Sequence, residues 1–133
     1  MKKILILGKY GMLAQAFVSL EKKSKNRIIF TTSRTVSDAV NFTYPKHNLE
    51  DLIRFENPNF VINCIGQIPQ KSEFGGFKSE NYSVLNQKLP IEIEKLAHKY
   101  NFNSIQIGTD CVFSGTRGFY NETNDLDAVD AYG

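Results

Sequence analysis

The sequence has no tryptophan, two cysteines, two histidines and four prolines among its 133 residues, and these shortages narrow what the chain can be. Cys64 and Cys111 stand alone in or beside apolar runs, without the spacing of a disulfide framework or a zinc site, so reduced and buried thiols are expected. His47 and His98 have no carboxylate or cysteine pattern around them and read as solvated or helix-end residues, so no metal site is expected. Met1-Lys2-Lys3 leads into an apolar run of only Ile4 to Leu7, far short of a signal-peptide core or a membrane span. A cytoplasmic protein with no membrane partner is the expectation. Sixteen basic against 14 acidic residues leave a formal charge of +2, with no long run of one sign to track a phosphate backbone, so nucleic acid is not an expected partner.

What is present suits one soluble domain over residues 1–133, since 41% hydrophobic residues can close one core. Lys3-Ile-Leu-Ile-Leu-Gly8 is an unbroken apolar run ended by glycine, the pattern of a strand buried on both faces of a parallel sheet. Leu13, Ala16, Phe17 and Leu20 then recur at helical spacing, predicting a helix from about 11 to 23 with that stripe inward. Strands are predicted over 27–32, 40–43, 60–65 and 104–108. Between them, Leu49, Leu52, Ile53 and Phe55 mark a short helix that ends before Pro58, and Leu89, Ile93, Leu96, Ala97 and Tyr100 mark a longer one from about 78 to 100. Pro90 interrupts that helix and takes the N–H partner from the carbonyl of Asn86. The stretch 66–76 reads as a functional loop. Alternating strands and helices give an α/β class, a doubly wound parallel sheet with helices on both faces and its ligand at the carboxyl ends of the strands.

Gly8-Lys9-Tyr10-Gly11-Met12-Leu13-Ala14 lies between the first strand and the first helix, where a glycine pattern has a mechanism. Gly8 allows a sharp turn, Gly11 lets a pyrophosphate approach the helix N-terminus, and a small Ala14 lets helix and strand pack closely. Lys9 and Tyr10 either cover the phosphates or face solvent. Arg34 follows the second strand and Ser33, where an acid would hold an NAD ribose hydroxyl and a base can hold an NADP phosphate. Guanidinium pairs with phosphate in bidentate fashion, and the nearest carboxylate, Asp38, lies further into the loop. NADP(H) is therefore expected over NAD(H).

This G-x-x-G-x-x-G/A spacing resembles the extended short-chain dehydrogenases/reductases, whose cofactor domain is of Rossmann type. Val61-Ile-Asn-Cys-Ile-Gly66 resembles their fourth-strand motif beneath the nicotinamide ribose, and Asn86-Gln-Lys-Leu-Pro90 resembles the Asn-x-x-x-Pro of their long helix. Gly108-Thr-Asp-Cys-Val-Phe-Ser-Gly115, Tyr120-Asn-Glu122 and Asp130-Ala-Tyr-Gly133 look like the corresponding series of the dTDP-4-dehydrorhamnose reductase branch. Ala14, Gly108 and Cys111 depart from the usual glycine, serine and tyrosine, and the last departure leaves the sugar open.

The resemblance implies NADPH-dependent reduction of a nucleotide-linked 4-keto sugar, of the kind used in dTDP-rhamnose and cell-surface polysaccharide synthesis. It puts Thr109 and Tyr132 in catalytic roles, beside the plain readings of a strand-end β-branched residue and an exposed terminal aromatic. It puts Gly8, Tyr10, Gly11, Met12, Leu13, Ser33, Arg34, Cys64, Ile65, Gly66 and Asn86 against the cofactor. Asn48 and Leu49 join them near the adenine, with Asn48 equally readable as a helix cap. Asp110, Cys111, Val112 and Phe113 face the sugar. The family's catalytic lysine, four residues after the tyrosine, falls past Gly133, so this chain is expected to supply the cofactor domain, to lack the sugar-binding part and to turn over little alone. Surface that such a part would cover offers a route to a homodimer. Two other readings stay open: a noncatalytic dinucleotide-binding module, and an epimerase or dehydratase that regenerates its cofactor in each cycle.

Overall fold

A computed structural model describes residues 1–69 and 82–133. In chain order it contains β1 (Lys3–Leu7), α1 (Met12–Glu21), β2 (Arg27–Thr32), β3 (Val40–Asn41), α2 (Leu49–Glu56) and β4 (Phe60–Asn63). A π-helical turn (Ser83–Lys88) then runs into α3 (Leu89–Tyr100), followed by β5 (Asn103–Gln106) and a 3-10 turn (Asp110–Val112). The five strands form one parallel sheet in the order β3-β2-β1-β4-β5. The strand order reverses between β1 and β4, the switch point at which open α/β sheets bind ligands.

The unbroken apolar run of β1 is explained by helices on both faces. Leu5 and Leu7 join Val61 of β4 on one face, packing with Leu49, Leu52 and Ile53 of α2 and Leu89, Ile93 and Leu96 of α3. Ile6 and Ile62 point the other way, with Phe30 of β2, onto Ala14, Phe17 and Val18 of α1. Period-two alternation thus divides β1, β2 and β4 between two cores.

Several expectations change. The inward face of α1 is Ala14, Phe17 and Val18, while Leu13 and Leu20 are exposed, because the glycine turn seats Ala14 flat on the sheet and rotates the stripe by one residue. On α2 the buried positions are Leu49, Leu52, Ile53 and Glu56, the i, i+3, i+4, i+7 set, and Phe55 falls off that face and is exposed. Glu56 stays inside because Lys3 Nζ hydrogen-bonds its carbonyl oxygen and lies 4.0 Å from its carboxylate. β4 ends at Asn63 rather than residue 65, since the Asn63 side chain accepts the Ile65 N–H at 3.0 Å and turns the chain. β5 follows its partner and stops at Gln106, with all four residues exposed. β3 keeps only two of its four predicted residues. Cys64 is half-buried and Cys111 exposed, so the thiols are free but not both interior.

The long helix begins within the described residues as the π-turn, and its predicted start at 78 lies outside them, as does most of the loop 66–76. In the turn the Leu89 N–H reaches back five residues to the Val84 carbonyl. Pro90 follows in the first turn of α3, where the helix passes from the π to the α register. Among the described residues, no helix is long and apolar enough to cross a membrane.

Candidate functional site

A cleft of about 610 Å³ opens at the carboxyl ends of β1, β2 and β4. Gly8, Tyr10 and Gly11 form its floor, Ser33 and Arg34 one wall, and Cys64, Ile65 and Gly66 the other. Eight of the residues expected to face the cofactor therefore meet in one cavity.

The glycine turn is built by close backbone packing. Gly8 has φ +91°, a conformation that side chains rarely adopt, and a Cβ there would stand 2.9 Å from Ile65 Cγ1 and 3.3 Å from the Cys64 carbonyl. A Cβ on Gly11 would lie 3.1 Å from the Cys64 carbonyl oxygen. The Gly11 N–H donates to the Gly8 carbonyl at 2.9 Å, closing the turn. Gly11 also caps α1 without a side chain, and the first turn of that helix has no acid. Its leading N–H groups are thus left to an anion, whereas α2 starts with the Asn48 cap plus Glu50 and Asp51. Met12 and Leu13, in the first turn of α1, are exposed and do not line the cleft.

The two residues between the glycines go opposite ways. Tyr10 is exposed, and the Arg34 guanidinium lies 4.5 Å from its ring centroid. Lys9 is buried, with Nζ 2.5 Å from the Asp38 carboxylate. That hydrogen-bonded ammonium holds the Asp38 carboxyl below its ordinary range. Among the described residues, no carboxylate forms an ion pair with Arg34. The Arg34 N–H is fixed by Thr32 Oγ1 at 3.1 Å.

On the opposite wall, burial pushes the Cys64 thiol up, so it remains protonated. Asn86 does not line the cleft. Its Oδ1 accepts the Gln67 N–H at 2.9 Å and its Nδ2 donates to the Gln67 carbonyl at 2.8 Å, tying the segment after β4 to the π-turn. Asn63, buried at the end of β4, donates to Gln106 Oε1 at 2.8 Å and so joins β4 to β5. Asn48 caps α2 by accepting the Asp51 N–H at 3.1 Å, and Leu49 is core; neither lines the cleft.

Sequence reasoning missed Thr32, Phe42, Thr43, Tyr44, Pro45, Val84 and Leu85, which complete the cleft. The weak third strand hid the Phe42–Pro45 group, whose only local signal was an aromatic-proline pair after a β-type run. Tyr44 OH donates to Glu92 at 2.8 Å, and burial together with this bond pushes its phenol up to about 12.

Thr109 caps the 3-10 turn, its Oγ1 accepting the Cys111 N–H at 3.2 Å. Asp110, Cys111, Val112 and Phe113 form or follow that turn; the first two are exposed and the others half-buried. Phe113 stacks on Tyr120 at 4.6 Å between centroids. Ser114 donates to Asp127 at 2.7 Å through both its N–H and its hydroxyl, folding the segment back on itself. Tyr132 packs edge-on against Tyr82 with centroids 5.6 Å apart. None of Thr109, Tyr132 and the 110–113 residues lines the cleft. Among the described residues, no three His, Cys, Asp or Glu side chains gather as metal ligands.

Known proteins repeat this architecture. A dTDP-4-dehydrorhamnose reductase from Clostridium acetobutylicum superposes with a TM-score of 0.76 at 23% identity, over 98% of this chain and 45% of that one. The Bacillus anthracis dTDP-4-dehydrorhamnose reductase, solved in complex with NADP, gives 0.77 at 16% identity over 98% and 44%. The UDP-N-acetylglucosamine 4-epimerase of Bacillus cereus gives 0.74 at 20% identity over 100% and 50%. The chain spans about half the length of these solved proteins. No curated protein matches it. The model of the RmlD substrate binding domain matches residues 1–133, and the chain therefore belongs to that family.

Proposed function

We propose that this chain is the cofactor-binding part of an NADPH-dependent reductase acting on a nucleotide-linked 4-keto sugar. The observation that carries the reading is the cleft, in which a turn bounded by Gly8 and Gly11 at an uncapped helix N-terminus lies with an arginine that has no acidic partner among the described residues. A pyrophosphate suits the start of α1, where the close packing of Gly8 and Gly11 on the Cys64 carbonyl sets the turn and no side chain caps the leading N–H groups. A 2′-phosphate fits Arg34, whose guanidinium lies over the Tyr10 ring. The Bacillus anthracis relative, solved with NADP, supports the same choice of nucleotide.

Held by the glycine turn and Arg34, a reduced nicotinamide nucleotide would supply the hydride that the carbonyl carbon needs. The Thr109 hydroxyl, whose oxygen already accepts the Cys111 N–H, keeps its proton for a hydrogen bond to the sugar oxygen. Tyr132 gives that oxygen its proton, which completes the alcohol. These two roles rest on the family motif, and the residues at 110–113 are assigned to the sugar on the same ground.

Calorimetric titration with NADPH and, separately, NADH tests the reading. NADPH should bind at least tenfold more tightly, and Arg34→Ala should remove most of that difference, since a charge-assisted bond contributes about 1.5–3 kcal/mol and each 1.4 kcal/mol is tenfold. If a folded sample binds neither nucleotide, the cofactor assignment is wrong; tightly retained NAD would point instead to a reaction that regenerates its cofactor, as in epimerisation.

A further inference from the structure

Within the cofactor reading, on which it rests, we propose that Lys9 is a specificity-determining residue: it sequesters the Asp38 carboxylate and so leaves the Arg34 guanidinium available to a 2′-phosphate.

A lysine in a glycine turn invites assignment to the phosphates, but this one is turned inward. Its side chain is 8% exposed, and Nζ stands 2.5 Å from Asp38 Oδ2, 3.3 Å from the Asp38 carbonyl oxygen and 5.7 Å from the Phe30 ring centroid. The backbone at Lys9 is fixed as well, its N–H donating to the Thr31 carbonyl at 2.7 Å and its carbonyl accepting from Gln15 Nε2 at 2.6 Å. A nearly buried ammonium requires a compensating charge. Asp38 supplies it from the surface, with 72% of its side chain exposed. The carboxylate has come to the lysine.

Asp38 lies on the same loop as Arg34, four residues further along, and that loop is closed at its base by β2–β3 pairing at Thr31–Val40 and Thr32–Asn41. An aspartate released in so short a closed loop shares it with a cation four residues away, Arg34. Pairing there would neutralise the guanidinium and set a negative charge beside the phosphate it is to receive. Lys9 blocks this by holding both the side chain and the main chain of Asp38. Adjacent residues of the glycine turn therefore act on one arginine from two directions, Lys9 by removing its competitor and Tyr10 by supporting the guanidinium.

The test is the ratio of NADH to NADPH dissociation constants, read by calorimetry on the 133-residue protein, with 2′,5′-ADP and 5′-AMP as probes of the adenosine end alone. Lys9→Met, which suits the buried site, should lower the ratio about tenfold and change NADH binding less than threefold. The Lys9→Met/Asp38→Asn double variant should recover most of the preference because the competing carboxylate is gone. Asp38→Asn alone, a change at the surface, should keep or raise the preference, and it keeps the proposal falsifiable even where Lys9→Met fails to fold. An unchanged ratio in Lys9→Met, failure of the double variant to recover, or a loss of preference in Asp38→Asn overturns the proposal. A wild-type protein that binds NADPH no better than NADH overturns the phosphate reading itself, before any variant is made.

Discussion

At Gly8 two constraints meet that a sequence shows only as a glycine, a positive φ of +91° and a wall of Cys64 and Ile65 atoms 2.9–3.3 Å from where a Cβ would be. Gly8→Ala should destabilise the protein by about 1–3 kcal/mol and weaken both nucleotides together. Urea denaturation read alongside the titrations checks this, and an unchanged midpoint would show that the turn relaxes freely. Arg34 is legible because its position after the second strand carries a chemical expectation and its neighbours in sequence are not acidic. The inward turn of Lys9 is not, since it depends on Asp38, 29 positions away, and on the Phe30 ring, whose centroid lies 5.7 Å from its Nζ. Cys111 departs from its expected burial for the same reason: an apolar flank in sequence does not say whether another element covers it.

Elements are read best where periodicity is strong and unopposed. The stripe of α3 and the continuous run of β1 both appear as expected, the first because it buries one repeating set of side chains in a single core, the second because its alternate side chains fill a core on each face of the sheet. Departures come where a local hydrogen bond or a neighbour resets the phase, as when Asn63 ends β4 early or the glycine turn rotates α1 by one residue. At Asn48 the side chain caps α2 and does not line the cleft. Asn48→Ala should cost about 1 kcal/mol of stability and leave NADPH affinity unchanged. Thermal unfolding paired with titration decides it, and a loss of affinity greater than the loss of stability explains would restore the adenine role.

Across the whole molecule, the class of fold and the end of the sheet that holds the site are legible in the sequence, whereas the extent of exposed surface is not. β5 has no strand on its outer side among the described residues, and Ile105 and Ile107 are 44% and 49% exposed. A parallel sheet with such an edge should pair with other copies. Sedimentation velocity of the 133-residue protein should therefore show a mass that rises with concentration above 15.1 kDa, and Ile105→Lys should hold it at the monomer; a wild type that stays monomeric throughout would refute the expectation. The contact between the glycine turn and the Cys64 carbonyl also matters at this scale. Main chain rests on main chain there, so the gap between the ends of β1 and β4 is gauged by peptide geometry, like a fixed jaw. Sequence drift along the rim can change the grip of the cleft on one nucleotide or another, but not its bore.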